Sequence, residues 1–308
     1  MKDVCLVTLF IALFATSASA QMAFIEDAAQ GTLTLRDGRK DVLTYRFGDQ
    51  LKEGVDLGQT RSCYIHPLFS LDGQVLTDDF PEDHLHHHGL FWAWPIVKTR
   101  GQNTQTWEPA TPPLRQHFVR WLKREAGIDG AILSVENVWE LDQKETVAAE
   151  IVTVWIHQAD RLGRAIDLEL EIEAVGGPLG LQGTPDQNKG YGGLCLRGAA
   201  MFKGAALTTD KGALKQDVVN TPFRWADIST TGLGVAIFVS PDHPGFPTAW
   251  LIRNSYAGVL NPSWPGFKSA VLQPNQPVVL RYRLYVHRGD AVSGGVLRAY
   301  QKYVMAES

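Results

Sequence analysis

Cysteine is scarce: the 308 residues hold three, one of them Cys5 in an amino-terminal leader, so only Cys63 and Cys195 remain beyond it. Two thiols can pair in an oxidising compartment, but they make no disulfide framework, and sequence alone does not bring their Cα atoms within bridging distance. A basic stripe is also missing. Lys and Arg number 29 against 33 Asp and Glu, for a formal net charge of −4, which argues against a nucleic-acid partner. Beyond residue 20 no apolar run reaches the roughly 20 residues that a bilayer span needs. Linkers, low-complexity stretches, charge blocks and internal repeats are absent too, so nothing marks a domain boundary.

The first twenty residues read as an export signal. Lys2 precedes an apolar run from Val4 to Thr16, and Ala18-Ser19-Ala20 is a small-x-small cleavage site before Gln21. The expectation is a leader over 1–20 and a single β-sandwich domain over 21–308, periplasmic or secreted.

Period-two alternation dominates the rest. From Arg164 to Val175, Ile166, Leu168, Leu170, Ile172 and Ala174 alternate with Asp167, Glu169, Glu171 and Glu173, which predicts a half-buried strand with a solvated acidic face. Similar strands are predicted at Leu33 to Arg36, Leu43 to Phe47, Cys63 to Phe69, Phe118 to Arg124, Ile132 to Leu141, Thr146 to Gln158, Gly234 to Val239 and Val278 to Val286. Asp37-Gly38 and Asp72-Gly73 are turn signals. One helix is predicted, at the carboxyl end, where Asp290 can act as cap and Val296, Tyr300, Tyr303 and Val304 form a stripe. The fold class is all-β, a large two-sheet sandwich with one short C-terminal helix. Nine tryptophans suit both a large β core and flat sugar-like ligands.

The densest chemistry is His84-Leu85-His86-His87-His88, framed by Asp78, Asp79, Asp83 and Gly89. In an extended segment His84, His86 and His88 point one way and converge. Three such imidazoles can hold a divalent metal ion. With a neighbouring carboxylate, one or two of them can instead act as acid and base near neutral pH. Gly89-Leu90-Phe91-Trp92-Ala93-Trp94 looks like a pocket wall. Gly89 to Pro95 contain no Glu, so a cupin-like oxygen-activating site lacks its usual further ligand. Two other segments carry useful groups. Lys189-Gly190-Tyr191-Gly192-Gly193-Leu194-Cys195-Leu196-Arg197 has glycines that allow close approach of backbone and ligand, at a spacing that fits no nucleotide-phosphate motif. Ser240 to Arg253 brings His243, Trp250 and Arg253 in a proline-stiffened loop, with a structural ion pair for Arg253 as an equal alternative.

Arg61-Ser62-Cys63-Tyr64-Ile65-His66-Pro67-Leu68, then Asp83 to Trp94, Lys189 to Leu194 and Asp242-His243-Pro244 to Trp250, form an ordered motif set over nearly the whole chain. The set resembles the bacterial PmoA family, also labelled methane oxygenase PmoA. A particulate methane monooxygenase subunit is an integral membrane protein, so the activity in that label does not follow for a chain without a span. The resemblance implies a β-rich protein similar in strand pattern to the galactose-mutarotase-like supersandwich, with Leu272 to Pro277 leading into its closing hairpin. No agreed activity comes with it.

The expected function is that of an exported carbohydrate-active protein, a hydrolase, lyase or epimerase using histidine acid–base chemistry. His84, His86, His88, His66 and His243 are the candidate acids and bases. Arg61, Trp92, Trp94, Lys189, Tyr191, Arg197, Trp250 and Arg253 are the candidates for holding a small sugar or oligosaccharide. A single cleft is expected to gather these groups. The alternatives are a glycan-binding module without turnover and a metal-dependent enzyme with the ion on His84, His86 and His88; otherwise no cofactor is expected.

Overall fold

The computed structural model describes residues 21–307, and the expected leader and Cys5 lie outside them. Among the described residues the chain is nearly all β, with two nine-stranded antiparallel sheets and a four-stranded one. The first large sheet runs, in spatial order, Met22–Asp27, Thr32–Asp37, Lys40–Arg46, Tyr64–Leu68, Leu90–Ala93, Gly193–Arg197, Val259–Ser263, Ala249–Arg253 and Val218–Pro222. The second has Leu233–Val239, Val278–Arg288, Gly163–Ala174, Glu145–His157, Gly130–Leu141 and Leu114–Ala126 as its long strands. The small sheet, Ala270–Leu272, Leu179–Gln182, Ile96–Thr99 and Gln102–Thr104, is built from pieces too short to show a period. No helix among the described residues is long and apolar enough to cross a membrane.

One continuous core lies between the large sheets. Leu90, Trp92, Leu194, Leu196, Trp250, Ile252 and Leu260 enter it from the first, and Leu133, Val135, Val152, Val154, Leu168, Leu170 and Leu284 from the second. Full burial of one such side chain contributes about 1.5–3 kcal/mol. The acidic alternates of Gly163–Ala174 are paired across strands rather than merely wet: Asp167 bonds Arg283 and His157, and Glu169 bonds Arg281. The helix spans Val296–Glu307 and packs Val296, Tyr300 and Tyr303 on Trp225, Phe238 and Tyr285, on the other face of the second sheet. Asp290 accepts from the N–H groups of Val292 and Ser293, so it caps the turn ahead of the helix instead of the helix itself. Cys63 and Cys195 are both buried and unbridged. They lie in different clusters, Cys63 in the inter-sheet core just ahead of Tyr64–Leu68 and Cys195 on the outer side of the first sheet.

A carboxylate sits in the middle of this core. Glu150 is wholly buried and accepts four hydrogen bonds: from Trp92 Nε1 and Trp139 Nε1 at 2.9 Å, Gln116 Nε2 at 3.0 Å and Asn137 Nδ2 at 2.9 Å. Burial pushes its pKa up, and those four donors oppose the shift. Removing the carboxylate strands four buried donors. Glu150→Ala should therefore lower unfolding stability by about 3–5 kcal/mol, read as a fall in the urea midpoint at unchanged slope. A loss below 1 kcal/mol would show that the donors find other partners.

Candidate functional site

The first sheet's outer face carries the chemistry. Ile65, Leu90, Leu196, Leu260 and Ile252 lie opposite one another across five strands and point into the core. One residue along, the side chains reverse. That next row sets Arg197 and Arg253 on either side of Val259. Gly89 lies beside Arg197, whose N–H donates to the Gly89 carbonyl at 2.7 Å. Tyr64, Phe91, Ala93, Cys195, Leu251 and Val259 form an apolar floor, with Trp107, Tyr191 and Tyr256 packed over it.

The histidine segment is not a strand. Its ends pair with each other: Phe80 N–H donates to His87 O and Gly89 N–H to Asp78 O, so the residues between form a closed tip. Pro81, which has no N–H to offer a ladder, opens the tip, and two successive turns follow, His84 N–H to Pro81 O and His87 N–H to His84 O. Gly89 closes it at φ +53°, where an added Cβ would stand 2.3 Å from the Ile65 carbonyl oxygen. The period-two expectation fails for this reason. His84, His86 and His87 gather instead, with ring centroids 4.8 Å apart for His84 and His87 and 4.8 Å for His86 and His87. His88 turns away from them. The three-imidazole metal site expected at His84, His86 and His88 is thus not formed, and among the described residues no group of three or more His, Cys, Asp or Glu is placed to hold a metal ion.

His88 makes a different arrangement. Its Nδ1 lies 2.9 Å from Asp79 Oδ1, and the other carboxylate oxygen accepts from the Tyr64 hydroxyl at 2.9 Å, with Arg46 at 3.9 Å. Phe80 and Tyr64 hold the ring at centroid distances of 4.5 and 5.2 Å. Burial lowers the His88 pKa against the pull of Asp79; burial raises that of Asp79, but His88, His66 and Arg46 bring it below the usual carboxylate range. The pair is an ionised Asp79 with a neutral His88 that donates Nδ1–H, which leaves Nε2 as a lone-pair base. His88 lines a cleft of about 80 Å³ together with His86, Trp107, Glu108, Arg61 and Gln116. His86 Nε2 is 3.6 Å from Glu108. His66 adjoins the pair, with Nδ1 2.9 Å from Thr77 Oγ1.

Other expected residues divide. Arg197, with its side chain 4 % exposed, pairs with Asp83 at 2.6 Å; Asp83 in turn meets His84 Nδ1 at 3.0 Å. The Arg197 and Arg253 guanidinium groups lie 5.5 and 5.8 Å from the Tyr256 ring centre, and Tyr191 lies 4.6 Å from Trp107. Trp92, Trp94 and Trp250 are fully buried, so none can stack on a ligand. Their indole N–H groups donate to Glu150, Trp264 O and Phe223 O. His243 is a core residue as well: its Nδ1 accepts from Gly245 N–H at 3.0 Å and its Nε2 faces the Tyr282 hydroxyl at 2.9 Å. Burial pushes its pKa down to about 3. Arg61 reaches the cleft wall, yet it spends its terminal nitrogens on Thr106 O, Trp92 O and Gln116. Lys189 is tied to Asp186 at 3.4 Å. Sequence reasoning missed Trp107, Glu108 and Tyr256, which sit in loops with no periodic signal, and gave Asp79 no role beyond framing the histidines.

A family model matches residues 32–301, and the chain belongs to that family, DUF6807, a family of unknown function. No curated protein matches it. Among solved structures it is similar to an alpha-galactosidase from Lactobacillus brevis at 7 % identity and TM-score 0.40, covering 90 % of this chain and 40 % of that one, so the chain spans about two fifths of its length. It is also similar to the YeaD protein of Salmonella typhimurium at 12 % identity and TM-score 0.38, covering 84 % of this chain and 85 % of that one. A GalM/aldose epimerase homologue from C. elegans matches at 11 % identity and TM-score 0.36, covering 87 % of this chain and 99 % of that one.

The electrostatics of the face can be read by titration. Burial first, then the neighbouring cations, pushes His86 down to about 4; for His66, burial and the charges of Arg46 and His88 outweigh the opposing pull of Asp79, again reaching about 4. Both groups bind protons more weakly folded than unfolded, so their contribution to stability is complete above about pH 6.5 and is lost as the pH falls toward 4. NMR titration of the imidazole signals, assigned with His66→Gln and His86→Gln, should place both midpoints near 4. Midpoints near the ordinary value of about 6.5 would show that these rings are hydrated.

Proposed function

We propose that the protein moves a proton on a carbohydrate bound at this outer face, as a lyase or epimerase, with His88 as general base and Asp79 as the group that orients it. The observation that carries this reading is the 2.9 Å contact between His88 Nδ1 and Asp79 Oδ1 in a ring that lines an open cleft. A neutral imidazole held by a buried carboxylate has its Nε2 lone pair fixed in one direction, and the imidazolium formed on proton uptake is stabilised by that carboxylate. The acceptable substrate proton is one on carbon beside a carbonyl or on a hemiacetal hydroxyl. In an elimination the proton passes to His88 Nε2, the C–O bond to the departing group breaks, and the His88 imidazolium returns that proton to the leaving oxygen, directly or through water in the cleft.

Support for a sugar as the substrate comes from the surroundings. Half-buried Tyr191 and Tyr256, packed on Trp107 and His84, bring aromatic edges together with imidazoles and guanidinium groups, a mixture suited to a ring with one apolar face and many hydroxyls. A hydrolase is less well served, since the carboxylates held on this face are engaged, Asp79 by His88 and Tyr64 and Asp83 by Arg197 and His84. With this reading goes export directed by residues 1–20, so that the substrate is an envelope or environmental glycan.

The test is turnover of native and keto-oxidised glycosides followed by NMR, on protein purified without a histidine tag. His88→Asn should lower kcat/KM by at least about 100-fold, and Asp79→Asn by less. The wild-type kcat/KM should be flat near neutrality and fall on the acid side, below about pH 6.5, because burial lowers the His88 pKa and the base form persists until that point. A sugar that binds tightly, stays unchanged on long incubation and binds His88→Asn equally well would overturn the proposal in favour of a glycan-binding module.

A further inference from the structure

Arg197 and Arg253 occupy one lateral row of the sheet, each opposite Val259, so two strand spacings separate them, roughly 10 Å between Cα atoms. Both side chains rise from the outer face, and Tyr256, three residues before Val259, puts its ring between them at 5.5 and 5.8 Å from the two guanidinium centres. The two arginines differ in how they are used. Arg197 is buried and holds Asp83, yet its Nε has no hydrogen-bond partner. Arg253 is half-buried and forms no ion pair among the described residues, contrary to the structural pairing weighed from sequence. The other charges nearby are engaged elsewhere: Lys189 lies with Asp186, Glu108 faces His86, and Asp217 accepts from the Asn254 N–H and the Ser255 hydroxyl. The charge of Arg197 is met by Asp83 but its Nε–H is idle, and Arg253 has no carboxylate partner among the described residues, so one free cation and one free donor face the same aromatic ring, an arrangement that favours an anion.

We infer that Arg197, Tyr256 and Arg253 form an anion subsite, and that the sugar of the proposed reaction carries an acidic group, a carboxylate or a phosphate, seated there. The inference rests on the sugar reading for the identity of the ring but not for the anion. Tyr256, whose ring stacks on His84 at 5.3 Å, forms the aromatic wall of the subsite, and Arg253 offers the fork for a planar or tetrahedral oxyanion. Gly89, next to His88, lies one strand beyond Arg197 in the same row, about 5 Å away. The acidic group is therefore held within one or two sugar rings of the base.

Two sets of probes separate this inference from the reading it builds on. The first is acetate and inorganic phosphate alone, titrated by calorimetry into the full chain. The second is matched pairs of sugars, galacturonate against galactose and glucose 6-phosphate against glucose. Wild type should bind at least one simple anion, and should bind the acidic member of a pair at least about tenfold more tightly than the neutral one, with the preference weakening as salt is raised. Arg253→Gln, checked for folding by circular dichroism, should erase the preference; Arg253→Lys should keep part of it, since the charge remains and the fork is lost. A carboxylate preference and a phosphate preference are told apart by which pair responds. Equal affinity for charged and neutral partners, or an undiminished preference in Arg253→Gln, would overturn the anion subsite and leave a neutral sugar as substrate. Binding of simple anions that Arg253→Gln abolishes, with no sugar of either kind bound, would instead support the subsite and overturn the sugar reading.

Discussion

The structure turns on a carboxylate that has no access to water. Glu150, from the second sheet, takes an indole N–H from its own sheet through Trp139 and another from the first sheet through Trp92. Gln116 then joins it to Arg61, whose guanidinium also grips the backbone of Trp92 and Thr106. A hydrophobic core between two sheets fixes their separation but not their sliding; directional bonds to a single buried oxygen pair do. Trp92 is thereby held on the strand that continues from the histidine loop, and Thr106 begins the loop that carries Trp107 and Glu108. The buried carboxylate sets the position of two walls of the candidate site without touching it.

The outer face shows how burial and charge together choose a chemical role. Several imidazoles lie close together beside two arginines, so protonating any one of them puts like charge on like charge in a poorly hydrated place. His86 and His87 are kept neutral by burial first and by that crowding second. His88 differs in being hydrogen-bonded to a buried carboxylate, Asp79, which stabilises a proton once it arrives without holding one in the resting state. The face is a set of bases in which one member is equipped to become an acid.

Most of the fold was legible in the sequence because long strands with one wet side write their period plainly. Gly163–Ala174, Glu145–His157 and Val278–Arg288 all appear within a residue or two of their expected places. The short strands around the site were not legible, since Leu90–Ala93 and Gly193–Arg197 are buried on both faces and show no alternation. The candidate site was half legible. His86, His88, Tyr191, Arg197 and Arg253 were singled out by residue type and do share the outer face. Trp92, Trp94, Trp250 and His243 were singled out the same way and belong to the core. Residue type does not separate an indole that stacks on a ligand from one that donates to a buried carboxylate; only the side of the sheet does.

That side is set by register, and register is a long-range property. Arg197 and Arg253 lie 56 positions apart and meet because both pair with Val259, while Leu196 and Ile252, one residue earlier, pair with Leu260 and face the core. A slip of one residue in either pairing would bury an arginine among Trp250 and Leu194 and expose an isoleucine or leucine in its place. The apolar inner row is therefore what fixes the polar outer one: the cost of misplacing Leu196, Leu260 and Ile252 holds two cations in line. The site's geometry is inherited from the packing on the opposite face of the same strands, which explains how a shallow, polar surface can keep its side chains in fixed places.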